Sequence, residues 1–193
     1  MGTRGAIGFR INEEDKISYN HSDSYPTSLG VKVMEFVKAT PDEDMRKMAK
    51  RIKMVKQDKK PTKKQIQTCM KAGVVNLGVS EGSEQDWYCL LRNAQGDLGA
   101  YAKLGYMIDS HRFLKDSLFC EWGFILNVDT KELEIYRGFN KTAGGPGRYA
   151  GGEPDQGYYG VSLFRVLPFK AIRELEDIDK YCENMEASVP VEA

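Results

Sequence analysis

Residues 6–19 read Ala6-Ile7-Gly8-Phe9-Arg10-Ile11, then Asn12-Glu13-Glu14-Asp15, then Lys16-Ile17-Ser18-Tyr19. The first six are a short apolar run, the next four a polar turn, and the last four alternate polar with apolar side chains. Alternation sends successive side chains to opposite faces of an extended chain, so this stretch predicts a β-hairpin. The late strands that would lie beside it are also legible. Residues 119–128 and 133–139 flank Asp129-Thr130-Lys131-Glu132, the signature of a second hairpin. Val161-Ser162-Leu163-Phe164-Arg165-Val166 predicts one more strand, ended by Pro168.

Between these ends the period changes. Val33, Met34, Phe36 and Val37 fit one side of a helix that ends near Thr40-Pro41. Asp42, Glu43 and Asp44 lead a second helix, as acids favour a helix N-terminus. Its predicted buried stripe is Met45, Met48, Ile52 and Val55. Thr62 is the expected N-cap of a third helix that stops near Ala72-Gly73. Residues 74–79 fit a buried strand or an extended connection. Residues 86–93 and 100–108 read as helical, and residues 171–185 as an acidic helix. Strands at both ends with helices between predict one α+β domain over residues 1–193. Its mixed or antiparallel sheet would combine the N-terminal hairpin with the late strands, covered by the central helices. Residues 140–160 hold seven of the nineteen glycines, with a flexible loop over 146–160, and residues 188–193 read as a frayed tail.

Composition narrows the class. Of 193 residues, 41% are hydrophobic and 29% charged, with 28 basic and 28 acidic side chains. A disordered chain would have fewer core formers and more net charge. A spanning helix needs about 18 consecutive apolar residues, and the apolar runs here are only a few residues long. No charged stretch followed by an apolar block opens the chain, so a cytoplasmic protein is expected, without secretory signal or membrane association. Balanced charge argues against coating nucleic acid over the whole surface. Cys69, Cys89, Cys120 and Cys182 are far apart and form no CxxC pair, which predicts buried, reduced thiols and neither a metal site nor a cofactor.

Four segments are candidates for function. Residues 45–71 carry eleven Lys or Arg and one acid, Asp58, and offer a positive strip to phosphates or an acidic protein, so nucleic acid is a possible partner. No aromatic residue lies in the segment, against single-strand stacking, and the strip also fits a solvated helical face balanced by the acidic tail. The loop Asn20-His21-Ser22-Asp23-Ser24-Tyr25 gathers residue types used in acid–base and nucleophilic work, although neighbours on an extended chain point in alternating directions. Arg92, Asn93, Gln95 and Asp97 beside Gly96 either line a pocket or finish a helix. Arg4, Asn20, His21, Asp23, Arg92 and Asp97 are therefore the expected ligand-binding residues. In the glycine-rich loop, Arg148, Tyr149 and Tyr158 are the expected partner-binding residues, because Tyr and Arg dominate interface hot spots.

Two resemblances add to this. Met1-Gly2-Thr3-Arg4-Gly5, Gly8-Phe9-Arg10, the run Tyr19 through Pro26, Asp86-Trp87-Tyr88-Cys89-Leu90-Leu91-Arg92, Gln95-Gly96-Asp97-Leu98 and the run Phe113 through Glu121 resemble a group of phage and prophage proteins over most of residues 1–165. The resemblance implies a phage or mobile-element context. The opening strand is more loosely similar to N-terminal nucleophile hydrolases, whose nucleophile is the first residue after processing. Here Gly2 has no side chain to attack with, and Thr3 would need one further residue removed. The leading expectation is a small phage-type accessory protein that binds a host or phage macromolecule, with a protein partner foremost. The alternative is a hydrolase or small-ligand-binding protein using the Arg4, His21 and Asp23 region.

Overall fold

A computed structural model describes residues 2–189 of the chain. Residues 190–193, most of the expected frayed tail, lie outside the described residues.

The fold is α+β, built on a mixed sheet. β1 (Gly5–Ile11) and β2 (Glu14–Asn20) pair antiparallel in the register Gly5↔Asn20 to Ile11↔Glu14. Their turn is tighter than the four polar residues suggest: Asn12 and Glu13 take φ of 50° and 64°, the left-handed pair that matches strand twist in a two-residue hairpin. β5 (Trp122–Asn127) lies parallel to β1, while β6 (Glu132–Arg137) and β7 (Ser162–Pro168) continue antiparallel, giving the order β2-β1-β5-β6-β7. The first and last strands of the chain thus share one sheet, with the opening hairpin at one end of it.

The helical expectations hold in place and differ in extent. α1 (Val31–Ala39) follows a π-helical turn over Pro26–Gly30. α2 (Asp42–Arg51) begins with its three acids but stops before Val55. Ile52 is extended, and β3 (Lys53–Val55) pairs parallel with β4 (Tyr106–Ile108). The end of α2 is capped from outside: the Lys16 ammonium donates to the carbonyls of Ala49 at 2.8 Å and Ile52 at 2.6 Å, consuming acceptors a helix end leaves unmet. α3 (Lys63–Lys71) carries a full capping box, with Thr62 and Gln65 exchanging hydrogen bonds, and Gly73 ends it at φ 71°. The predicted helix over 100–108 divides into α5 (Leu98–Leu104) and β4, because Gly105 turns left-handed at φ 76°. Residues 86–93 form only α4 (Trp87–Leu90) and a 3-10 turn, and no strand forms over 74–79. The acidic helix is two helices, α6 (Phe169–Glu174) and α7 (Ile178–Ala187), the second capped by Asp177.

Strand alternation explains the two faces of the sheet. Ile7, Phe9, Phe124, Leu126, Leu133 and Ile135 point to the helical side and pack with Val33, Met34, Val37, Met45 and Ala49 in the larger core. Ala6, Ile17, Ile125 and Tyr136 point the other way, where no α-helix lies. They are covered by Leu114 from a 3-10 helix over His111–Lys115 and by Cys120, Tyr149 and Val161 from irregular segments. Among the described residues no helix is long and apolar enough to cross a membrane.

All four cysteines are free and buried. Burial pushes the Cys69 thiol up to about 11, and burial with Asp179 and Glu186 pushes Cys182 up to about 12. Since the thiolate is the reactive form, an aromatic disulfide reagent at about pH 8 is expected to label folded protein far more slowly than protein in denaturant. Equal labelling rates in the two states would contradict the burial described.

Candidate ligand-binding cleft

β3 and β4 are parallel, and their carboxyl ends open beside edge strand β2, where ligand clefts commonly form. Asp109 continues the ladder by donating to the Val55 carbonyl, and the Ser110 amide reaches the Ile17 carbonyl at 2.9 Å. A cavity of about 260 Å³ is walled there by Ser18, Tyr19, Gln57, Tyr88, Gln95, Ile108, Ser110 and Phe113. A second hollow of about 430 Å³ shares Gln57 and Tyr88 with it and adds His21, Val79, Ser80 and Arg92. A third holds Arg4, His21, Ser22, Tyr25, Phe119 and Glu121. His21 belongs to both of the latter, so it stands between Arg4 and Arg92.

The walls are aromatic and the rim is cationic. The Tyr19 and Phe113 rings meet edge to face at 5.0 Å. Arg92 lies over the Tyr88 ring at 5.4 Å and donates to Gln95 Oε1 at 2.6 Å. Arg4 lies over the Phe119 ring at 5.5 Å. Among the described residues neither guanidinium forms an ion pair. Tyr19 Oη and His21 Nδ1 share a hydrogen bond of 3.0 Å. Partial burial, then the positive charges of Arg92 and Arg4, hold His21 below the ordinary imidazole value, so its ring is uncharged at neutral pH. Burial raises the Tyr19 phenol, which therefore keeps its proton.

The structure sorts the six expected ligand-binding residues. Arg4, His21 and Arg92 come together around this cleft. Asn20, the last residue of β2, is buried; its amide donates to the Ser22 carbonyl at 2.6 Å and to Ser24 Oγ at 2.8 Å, and so shapes the turn that presents His21. Asp23 is exposed at φ 55° and lies outside all three hollows. Asp97 caps α5 through the Ala100 amide and faces a separate depression with Lys32, Phe36 and Asn93. Tyr19, Gln57, Tyr88, Ser110 and Phe113 are cleft residues that no local pattern marked. They come from four segments, Ser110 and Phe113 sharing one, and only the fold brings them together.

The expected partner-binding residues are engaged within the chain. Arg148 reaches back to the β1–β2 hairpin and donates to Asp15 at 3.1 Å and to Tyr136 Oη at 2.9 Å, and it also pairs with Glu134. Tyr149 is buried and donates to Asp15 at 2.6 Å. Tyr158 packs near Phe139 and under the Lys141 ammonium. Among the described residues no group of three or more His, Cys, Asp or Glu assembles as a metal-ligand set. No family model, curated protein or solved structure matches the chain.

Proposed function

We propose that the protein is a binding module for a nucleotide-class ligand, one with a planar ring and a phosphate. The observation that carries this is the convergence of two guanidiniums, Arg4 and Arg92, with no ion-pair partner among the described residues, on an uncharged histidine beside aromatic walls. A phosphate fits a fork of arginine donors. A heterocycle fits Tyr88, Tyr19 and Phe113, and Gln57, Gln95, Ser18 and Ser110 supply donors and acceptors for its edge. For the chain as a whole we infer an accessory role exercised by binding, in the phage-type context, with this cleft as its recognition site.

Calorimetric titration with adenosine monophosphate and with inorganic phosphate tests the reading. The nucleotide should bind more tightly than phosphate. Arg92→Ala should weaken both by about tenfold or more, the worth of a charge-assisted hydrogen bond. Tyr88→Ala should weaken only the nucleotide. No detectable binding of either ligand, or unchanged affinity in both variants, overturns it. Protonation of His21 adds a positive charge at the rim, so nucleotide affinity of the wild type should rise relative to His21→Ala as pH falls through the lowered His21 pKa.

A second reading, hydrolysis, rests on Thr3. Its hydroxyl is buried and finds no hydrogen-bond partner among the described residues. Thr3 also borders the hollow that holds Arg4 and His21. Loss of Met1 and Gly2 would free the Thr3 amine to act as base for its own hydroxyl. An intact mass lacking both residues supports this, and a retained Gly2 removes it.

A further inference from the structure

The basic segment 45–71 divides in two once folded. Three of the four cations of α2 are spent inside the chain: Arg46 pairs with Asp129 at 2.6 Å, Lys47 with Asp44, and Arg51 donates to the Ala102 carbonyl, while Lys50 is exposed. Beyond α2 the pattern reverses. Lys53, Lys56, Lys59, Lys60, Lys63, Lys64 and Lys71 are all exposed, and among the described residues none of these ammonium groups forms an ion pair or hydrogen bond. Asp58 is the one acid in that stretch. Lys63 and Lys64 occupy the first turn of α3, which carries no acid. Cations there oppose the helix dipole, so fold stability does not explain them.

This lysine surface adjoins the cleft. Gln57 walls both cavities, and Lys56, Lys59 and Lys60 lie within three residues of it. α3 packs on α4, the helix that carries Tyr88. The aromatic faces that the basic segment itself lacks are therefore supplied next to it by Tyr88, Tyr19 and Phe113. We propose that the surface from Lys53 to Lys64 and the Tyr88–Arg92 cleft together hold a single-stranded nucleic acid, with phosphates running over the lysines and one base lodged in the cleft. The proposal rests on the nucleotide reading of the cleft and extends it from a mononucleotide to a strand. Flexible ammonium groups on a loop suit a backbone whose phosphates are evenly spaced, and stacking on aromatic rings accepts any base.

Fluorescence anisotropy of the full chain with a labelled single-stranded DNA of about 12 nucleotides, a typical site length, tests it. About five phosphate contacts would give a log–log salt slope near −3.5, a loss of roughly 100-fold between about 50 and about 200 mM salt. The triple variant Lys56→Glu, Lys59→Glu, Lys60→Glu should weaken strand binding by more than tenfold and flatten the slope, while adenosine monophosphate binds it as it binds the wild type. Tyr88→Ala should weaken strand and mononucleotide alike. If the mononucleotide binds but the strand binds no tighter, or the lysine variant is unchanged, the extension fails and the cleft reading stands. If the strand binds but Tyr88→Ala has no effect and the mononucleotide does not bind, both fail. Equal affinity for a polyglutamate of similar length also overturns the assignment to nucleic acid.

Discussion

Gly8→Ala is expected to unfold the protein or to lower its unfolding free energy by about 3 kcal/mol or more, the upper range for forced overpacking. Gly8 sits opposite Ile17 in the first hairpin. A β-carbon there would stand 2.0 Å from the Lys16 carbonyl oxygen and 2.9 Å from the Ile17 Cα, both backbone atoms. No rotamer relieves such a contact, so β2 must move away from β1. The movement would reach both sides of the sheet, because Lys16 caps α2 and Ile17 closes the second core. Gly73→Ala is the control. Gly73 has φ 71° and open space around its would-be β-carbon, so only the left-handed strain of about 1 kcal/mol applies. Urea unfolding followed by circular dichroism separates the two. Equal losses, or a loss below about 1 kcal/mol at Gly8, would show that the strands are not paired in this register.

Arg148→Ala is the second large effect, with an expected loss of about 2–3 kcal/mol at neutral pH. That is less than a fully buried pair would give, because the guanidinium is partly in contact with solvent. The arginine stands between Asp15 and Glu134, whose side chains are 17% and 9% exposed. Burial pushes the Asp15 carboxyl up, but hydrogen bonds from Arg148, Tyr149 and Arg10 and the charge of Arg148 outweigh it and leave the group below its ordinary value. A carboxylate with a lowered folded-state pKa adds stability above its unfolded value and loses it as pH falls through the folded one. The wild type should therefore lose stability as the solution is acidified below about pH 4. In Arg148→Ala only the hydrogen bonds from Tyr149 and Arg10 still oppose burial at Asp15, so the gap between variant and wild type should narrow on acidification. A gap that stays constant from neutral to acid pH would mean that the cluster contributes packing and not charge. The same arginine fastens the glycine-rich connection over the face of the sheet that the α-helices leave uncovered. Arg148→Ala should therefore also speed proteolysis within residues 140–160, and Tyr149→Phe, which removes the hydrogen bonds to Asp15 and from Arg148 but keeps the ion pairs, should do so more weakly.

Several elements were legible because their causes are local. The hairpin at residues 6–19 announces itself by alternation, the α3 start by Thr62, and its end by Gly73. Extents were less legible where a tertiary partner decides them. Val55 fits the stripe of α2 by spacing, yet Ile52 is already extended and residues 53–55 pair with β4. The loss of helix is compensated by ladder hydrogen bonds and by Lys16, a residue more than thirty positions away. The helix expected over 100–108 ends at Gly105 for the same reason, since its last three residues are the partner strand of that pair.

The candidate site shows the same division. Arg4, His21 and Arg92 were visible as residue types, and their meeting was not, because they approach from the residue before β1, from the turn after β2 and from the turn after α4. Tyr88 sat in an apolar run, where a core role is the ordinary reading, and Gln57 sat in a lysine-rich stretch. Arg148 and Tyr149 read as partner-binding residues of a flexible loop, and the fold places the half-buried Asp15 carboxylate against both.

What the chain settled by itself is the opening hairpin, the starts of α2 and α3, that strands occur at both ends, and that the central segment is basic, because these follow from periodicity, caps and composition within a few residues. What only the folded molecule settled is the parallel contact between β1 and β5, the internal capture of Arg148, and which of the cations stay unpaired beside an aromatic cleft. Each of those depends on groups tens of residues apart in sequence. Their proximity is decided by which sheet face can be buried and which charges can be satisfied there.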